Sequence, residues 1–164
     1  MMYLWTDGSS DKKGFGGWAF CITNGETDEA CLIAEENQSR QETTNNRMEL
    51  EAVIKGLRMC GKILIPKPEE PITLRTDSAY VVNCFLQKWY KKWFASEWVG
   101  SAGPVLNKDL WTELFVLVNE LQGRGFTIIW THIKGHRDSF WNNRVDQFAG
   151  AARKRIRADN GLFS

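Results

Sequence analysis

Long hydrophobic runs are missing from this sequence. Nowhere do about 18 apolar residues stand together, so no membrane-spanning helix is expected. The first residues, MMYLWTDGSS, lack the basic head, apolar stretch and small-residue cleavage site of a secretory leader, which predicts a cytoplasmic protein. Cysteine is scarce and never paired as C-x-x-C. Cys21, Cys31, Cys60 and Cys84 each stand alone among apolar neighbours, a pattern of small buried thiols in a reducing compartment. That spacing fits neither a zinc site, which needs closely placed Cys or His ligands, nor a disulfide framework. A surplus of charge is also missing. The formal net charge is +1, so global electrostatics neither demand nor exclude a nucleic-acid partner. Repeats, low-complexity tracts and long linkers are absent, and the length suits a single domain over residues 1–164 with a real core.

What is present is a sequence of changing periods. MYLWT is a short apolar segment ending at Asp7-Gly8, which reads as a strand running into a turn. GGWAFCIT and EACLIAEEN follow, separated by NGETD, whose Asn24-Gly25 is a hairpin signal, so three strands form an antiparallel meander. In TTNNRMELEAVIKGLRMC the apolar residues Leu50, Val53, Ile54 and Leu57 recur at the helical period. TTNN offers N-cap residues there, and Asn46 to Glu49 has capping-box spacing. ITLRTDS is a fourth strand ending at Asp77, with a helix from Ser78 through Phe85. The segment from Lys88 to Trp98 is helical in part, and Gly100 to Pro104 breaks the chain. LNKDLWTELFVLVNELQ is an amphipathic helix through Leu110, Leu114, Leu117 and Leu121. FTIIWTHI is a fifth strand, and a last helix spans roughly Asn143 to Arg157. This order predicts an α/β fold: a five-stranded mixed sheet, three strands antiparallel and the others parallel, with helices on both faces.

Four carboxylates occupy the element ends. Asp7 and Asp77 close the first and fourth strands, and parallel neighbours would bring both side chains out at one edge of the sheet, where α/β folds place their sites. Glu49 and Asp146 fall in the first turns of the first and last helices. Together these groups would repel one another unless a hard cation neutralised them, and all-oxygen ligation favours Mg²⁺ or Mn²⁺. A pair of ions suits in-line phosphoryl displacement. Each residue also has a plainer reading: Asp7-Gly8 as a turn, Asp77 as a helix cap, Glu49 as a capping-box member and Asp146 as a surface charge near a helix dipole. Their coincidence favours the site. His136, in the loop after the fifth strand, suits proton transfer better than ligation of magnesium.

LWTDGSS, TTNNRMEL, RTDSAYV and IKGHRDSFWNNRVDQFA resemble, in order, the signature segments of the cellular ribonuclease H type 1 family, from Leu4 to about Ala152. The resemblance implies an RNase H-like fold and a two-metal endonuclease that cuts the RNA strand of an RNA–DNA hybrid, giving 5′-phosphate and 3′-hydroxyl ends. It implies that Asp7 bridges two Mg²⁺ ions, that Glu49 and Asp77 complete one site, and that Asp146 joins Asp7 in the other. His136 would then assist proton transfer or product release, and Glu49 would also accept a 2′-hydroxyl. Gly8, Ser9, Asn45 and Asn46 would line the minor groove, Thr44 would take a DNA phosphate, and Asn142 would orient the scissile phosphate or the catalytic loop. Trp89, Lys91, Lys92, Trp93 and Trp98 match the family's basic handle on the DNA strand, with core packing an equal alternative for Trp89 and Trp93. A monomer suffices, with the hybrid as partner, Mn²⁺ as a substitute ion and no appended hybrid-binding module.

The sequence departs from the family pattern in places. Glu42 stands where an Arg is frequent, which weakens the DNA-phosphate pocket or leaves it to Arg40, and Ala79 removes a longer polar side chain. The handle after Lys92 is poor in lysine. Phe140 and Trp141 are bulky for the catalytic loop, and Asp138 adds a negative charge. Two competing functions are a hybrid-binding module without catalysis and a DNA-directed nuclease or integrase. Retention of all four carboxylates argues against the first, and the TTNNRMEL segment argues against the second.

Overall fold

The computed structural model describes residues 1–27, 29–39, 41–134 and 139–163, and for 156–163 the backbone only. Along the chain run β1 (Met2–Ser10), β2 (Gly16–Thr23), β3 (Cys31–Gln38), α1 (Asn45–Ile63), β4 (Ile72–Thr76), α2 (Ala79–Leu86) and α3 (Trp89–Ala95). A small ribbon of β5 (Val99–Gly100) and β6 (Gly103–Pro104) follows, then α4 (Lys108–Gly123), β7 (Ile128–His132) and α5 (Phe140–Phe163). The main sheet has the order β3-β2-β1-β4-β7. β1, β2 and β3 are antiparallel, whereas β1 with β4 and β4 with β7 are parallel. This is the five-stranded mixed sheet that the sequence predicts.

Alternation along β1 sends side chains to two different cores, because successive residues of a strand face opposite sides. Leu4 joins Trp18, Phe20 and Ile22 beneath α1 and α4, where Leu50, Val53, Ile54, Leu57, Leu110, Leu114 and Leu121 supply the helical faces. Tyr3 and Trp5 join Ala19 and Cys21 on the other side, against Trp141, Val145 and Ala149 of α5. Helices therefore cover both faces, and β2, buried along its whole length, reads as a nearly continuous apolar run for that reason.

Several boundaries differ from the sequence reading, and three of the differences bear on a carboxylate. β1 does not turn at Asp7-Gly8. It continues to Ser10, because Asp7, Gly8, Ser9 and Ser10 pair with Ala19, Trp18, Gly17 and Gly16 of β2, so long-range pairing overrides the local turn preference of Asp-Gly. The cap of α1 is Thr44, whose Oγ1 accepts from Arg47 N at 3.3 Å. No Asn46–Glu49 capping box forms, and Glu49 is the fifth helical residue. α5 starts at Phe140, where Asn142 N donates to Ser139 Oγ, so Asp146 lies almost two turns inside the helix. Trp141 is buried in the second core and its Nε1 donates to Thr27 O at 2.8 Å. Gly100 to Pro104 forms a paired ribbon where the sequence suggested only a break. Cys31 is exposed on the edge strand, unlike the other three thiols; all four are free.

Gly8 decides how near α1 comes to β1. A Cβ there would stand 2.3 Å from Met48 C and 2.4 Å from Glu49 N, closer than any methyl group can sit to backbone. Gly8→Ala should therefore push the second turn of α1 outward. The expected cost is about 1–3 kcal/mol, typical of overpacking, read as a lower urea midpoint, with loss of divalent-cation affinity. An unchanged midpoint and unchanged affinity would contradict this packing account.

Candidate active site

The parallel register of β1 and β4 sets the site. Its last recorded pair is Trp5 with Arg75, and two positions beyond on each strand stand Asp7 and Asp77. Both carboxylates thus leave the sheet side by side. Ser78, not Asp77, caps α2, accepting from Val81 N at 3.3 Å, so the Asp77 carboxylate is free of capping duty. Glu49 arrives from the other face of the sheet, over Gly8. One ligand atom each of Asp7, Glu49 and Asp77 lies within 4.8 Å of the others.

Asp146 completes the group from α5. It is exposed, yet it lines the same cleft of about 520 Å³ as Asp7, Glu49 and Asp77, and its carboxylate lies within hydrogen-bonding reach of Asp7. Asp7 is therefore the hub, touching Glu49, Asp77 and Asp146. All four predicted carboxylates converge.

Electrostatics follow from this crowding. Burial, then the charges of Glu49 and Asp77, push the Asp7 carboxyl far above the ordinary aspartate range. Burial also raises Glu49, although contact with Asp7 opposes it, and burial followed by Asp146 raises Asp77. Glu49 Oε2 is buried without a hydrogen-bond partner among the described residues. An orphaned carboxylate oxygen inside a set of oxygen donors has the chemistry of a hard-cation site, so the residues fit Mg²⁺ or Mn²⁺ and not a thiol- or imidazole-loving metal.

The remaining predicted residues divide. Gly8, Ser9, Asn45 and Asn46 line the carboxylate cleft. Asn45 Oδ1 accepts from Ser10 N at 2.7 Å and Ser10 Oγ at 2.9 Å, which turns its amide NH₂ outward. Thr44 is exposed but serves as the α1 cap, and Asn142 is buried in the first turn of α5, outside the cleft lining. Trp89, Trp93 and Trp98 are half-buried and pack on the main core. Trp93 meets Trp98 at 5.6 Å and Trp111 at 5.3 Å between ring centroids, so packing occupies much of their surface. Lys91 and Lys92 are exposed on α3 without an ion pair among the described residues. Arg40, Gly135, His136 and Asp138 lie outside the described residues.

Sequence reasoning missed Ser10, Ser78, Tyr80 and Arg153 as cleft residues. Ser10 positions Asn45, as above. Tyr80 lines the cleft, and its hydroxyl accepts from Trp111 Nε1 at 2.8 Å and Asn107 Nδ2 at 3.2 Å, which ties the cleft to the aromatic handle. Arg153 reaches the cleft from α5, seven residues after Asp146 and hence on the same helical face; that spacing was the available signal.

Comparison with known proteins gives a consistent result. Residues 1–154 match the family model described as RNase H. The chain is 38% identical over 159 residues to a ribonuclease H of Thermoanaerobacter sp. (strain X514), covering 96% of this chain and 92% of that enzyme. Among solved structures, the N-terminal RNase H domain of rv2228c from Mycobacterium tuberculosis is similar with a TM-score of 0.71 at 18% identity over 97% of each chain. LC11-RNase H1, solved in complex with an RNA/DNA hybrid, gives a TM-score of 0.67 at 23% identity over 95% of this chain and 99% of that one. These structural likenesses show a shared fold. Among the described residues, no helix is long and apolar enough to cross a membrane.

The raised carboxyl range of Asp7 has a thermodynamic consequence. The folded, metal-free chain holds a proton that the unfolded chain has released, so its stability falls as pH rises from the ordinary aspartate range, about pH 4, toward neutrality. Asp7→Asn should flatten that slope and raise the melting temperature of the chelator-treated protein at neutral pH, by about 2–4 °C for each kcal/mol of repulsion removed. Thermal melts across pH in the presence of chelator measure both. A lower melting temperature for the variant at neutral pH would refute this electrostatic account.

Proposed function

This chain belongs to the RNase H family, and on that premise we propose that it hydrolyses the RNA strand of RNA–DNA hybrids as an endonuclease, leaving 5′-phosphate and 3′-hydroxyl ends. The observation that carries the reading is the convergence of Asp7, Glu49 and Asp77 within 4.8 Å, with Asp146 on the same cleft. Asp7, Glu49 and Asp77 would hold one Mg²⁺ ion, and Asp7 with Asp146 a second, with Mn²⁺ as a substitute. Such ions, when bound, neutralise the cluster, activate water and stabilise the departing oxygen.

The chain's own residues supply recognition. A hybrid presents a wide minor groove carrying 2′-hydroxyls, the group that distinguishes RNA from DNA. Glu49 accepts from one of these hydroxyls, while the outward amide of Asn45, held by Ser10, donates to base or sugar acceptors beside Asn46, Gly8 and Ser9. Thr44, at the N-terminus of α1, takes a DNA phosphate with the free N–H groups of that turn. Lys91 and Lys92 reach further phosphates, and the partly exposed rims of Trp89 and Trp93 meet deoxyriboses. Their buried bodies hold α3 in place. His136 moves a proton at the reacting centre or hastens product release, and Asn142 orients the scissile phosphate or the catalytic loop. The working unit is one domain, acting as a cytoplasmic monomer.

Hybrid, duplex DNA and duplex RNA offered side by side with Mg²⁺ test the reading, and only hybrid should be cut, in its RNA strand. Asp7→Asn should reduce cleavage to background while the circular-dichroism spectrum stays unchanged. His136→Ala should slow turnover by roughly 10²-fold or less. Chelation should stop the reaction and Mg²⁺ restore it. Near-normal hydrolysis by Asp7→Asn would sink the mechanism, and binding of hybrid without cleavage would favour a silent hybrid-binding module.

A further inference from the structure

We infer that Arg153 is a positioning residue for the RNA strand, gripping a phosphate next to the scissile one from the far end of the carboxylate cleft. This rests on the reading of that cleft as the RNA-strand site. Arg153 lies seven residues beyond Asp146, so both project from one face of α5, roughly 10 Å apart along its axis. The cleft lined by the carboxylates extends to the Arg153 side chain.

Its placement is built, not incidental. Ser9 of β1 pairs with Gly17 of β2, and α5 crosses directly over that pair. A Cβ on Gly17 would stand 2.5 Å from Ala149 O, 2.6 Å from Arg153 N and 2.8 Å from Ala152 Cβ, so the missing side chain lets the Arg153 backbone settle on the sheet. From there Arg153 Nη1 donates to Ser9 Oγ at 2.9 Å. That bond anchors one end of the guanidinium, and Nε and Nη2 make no hydrogen bond among the described residues, so their edge remains a two-pronged donor. Arg153 is half-buried, and among the described residues no carboxylate lies within ion-pair distance of it. Arg155, two residues on, behaves differently, because its charge is matched by Glu36 of β3 at 3.1 Å.

An anchored guanidinium with no ion pair among the described residues, the one cation lining a cleft of acids and neutral donors there, suits an anion with paired oxygens. A phosphodiester has that form, and guanidinium binds it in fork geometry. The carboxylates, with the ions they would hold, are the place of the reacting phosphate, so Arg153 takes a neighbour on the same strand. It sets where along the RNA the chain cuts without touching the reacting atoms. The position is separate from the handle on α3, whose lysines address the other strand.

Hybrid binding is measured in the Asp7→Asn background, so that the substrate stays whole, and KM and kcat are measured with Asp7 intact. Arg153→Ala should weaken binding about 10-fold, the size of a charged hydrogen bond, raise KM with little change in kcat, and make the salt dependence shallower by about one. Arg153→Lys should restore the salt slope but not the whole affinity. A hybrid carrying one neutral methylphosphonate in its RNA strand, moved position by position around the cut, should bind the wild-type side chain more weakly at one position and bind Arg153→Ala without penalty there. The urea midpoint of Arg153→Ala, expected to stay near that of the wild type, serves as the structural control. An Arg153→Ala variant with an unchanged salt slope, or one that keeps the wild-type penalty at every methylphosphonate position, would overturn the inference and leave a mere brace. A wild-type chain that cuts no hybrid would instead overturn the functional reading on which the inference rests.

Discussion

Negative charge is concentrated here against its own repulsion. Two unit charges 4 Å apart repel by about 4 kcal/mol at the effective dielectric of a protein surface, and Asp7 has three such neighbours within hydrogen-bonding reach. A flexible chain would separate them. The parallel register of β1 and β4 prevents it for Asp7 and Asp77, because the strands cannot part without losing the ladder that joins Trp5 to Arg75. Gly8 prevents it for Glu49 by admitting the backbone of α1, and Gly17 admits α5 on the opposite face. The two hydrophobic cores, one under each set of helices, therefore act as the clamp that holds the acids together.

The order of motifs made the four acids legible in the sequence, and the fold class followed from the alternation of strand and helix periods. The plain reading of each acid was equally legible, and local rules alone could not discard it. Pairing with β2 removes the turn at Asp7-Gly8, Thr44 takes the cap that Asn46 and Glu49 were spaced to form, and Ser78 relieves Asp77. In each case a residue distant in sequence, or one step along, wins a competition that propensity leaves open. α5 begins earlier than its polar start suggested because Phe140 and Trp141 precede it. Trp141 is buried against Tyr3, Trp5 and Cys21, and that tertiary contact extends the helix backward. Tyr80 stands within RTDSAYV and Arg153 within the basic run AARKRIR, yet neither segment marks its residue as part of the cleft. Only the crossing of α5 over β1 and the packing of α2 on α4 reveal them.

The α3 segment shows how one set of residues packs inward and stays partly exposed at once. Trp93, Trp98, Trp111 and Phe115 form a connected ring cluster, and Tyr80 joins that cluster to the cleft through the bond from Trp111 Nε1. Packing and recognition were equal alternatives in the sequence, and half-burial explains why. Tryptophan is large enough to anchor a helix with one edge and present the other to solvent. α3 has seven residues and would not persist alone, so its exposed lysines owe their position to those rings.

The same burial that makes the cluster costly makes it selective. Desolvation lifts Asp7 and Glu49, so in the absence of a cation a proton is the natural occupant. A proton satisfies one oxygen at a time, whereas Glu49 Oε2 is left without any partner among the described residues. A small divalent ion can engage several of these oxygens at once and cancel the repulsion throughout the group. The folded chain is thus held in a strained charge state that proton binding relieves only partly. Because the sheet keeps the acids from separating, the relief is available to a species that matches their spacing. Rigidity in the scaffold is in this way the source of both the mutual repulsion of the acids and their fit to a hard cation.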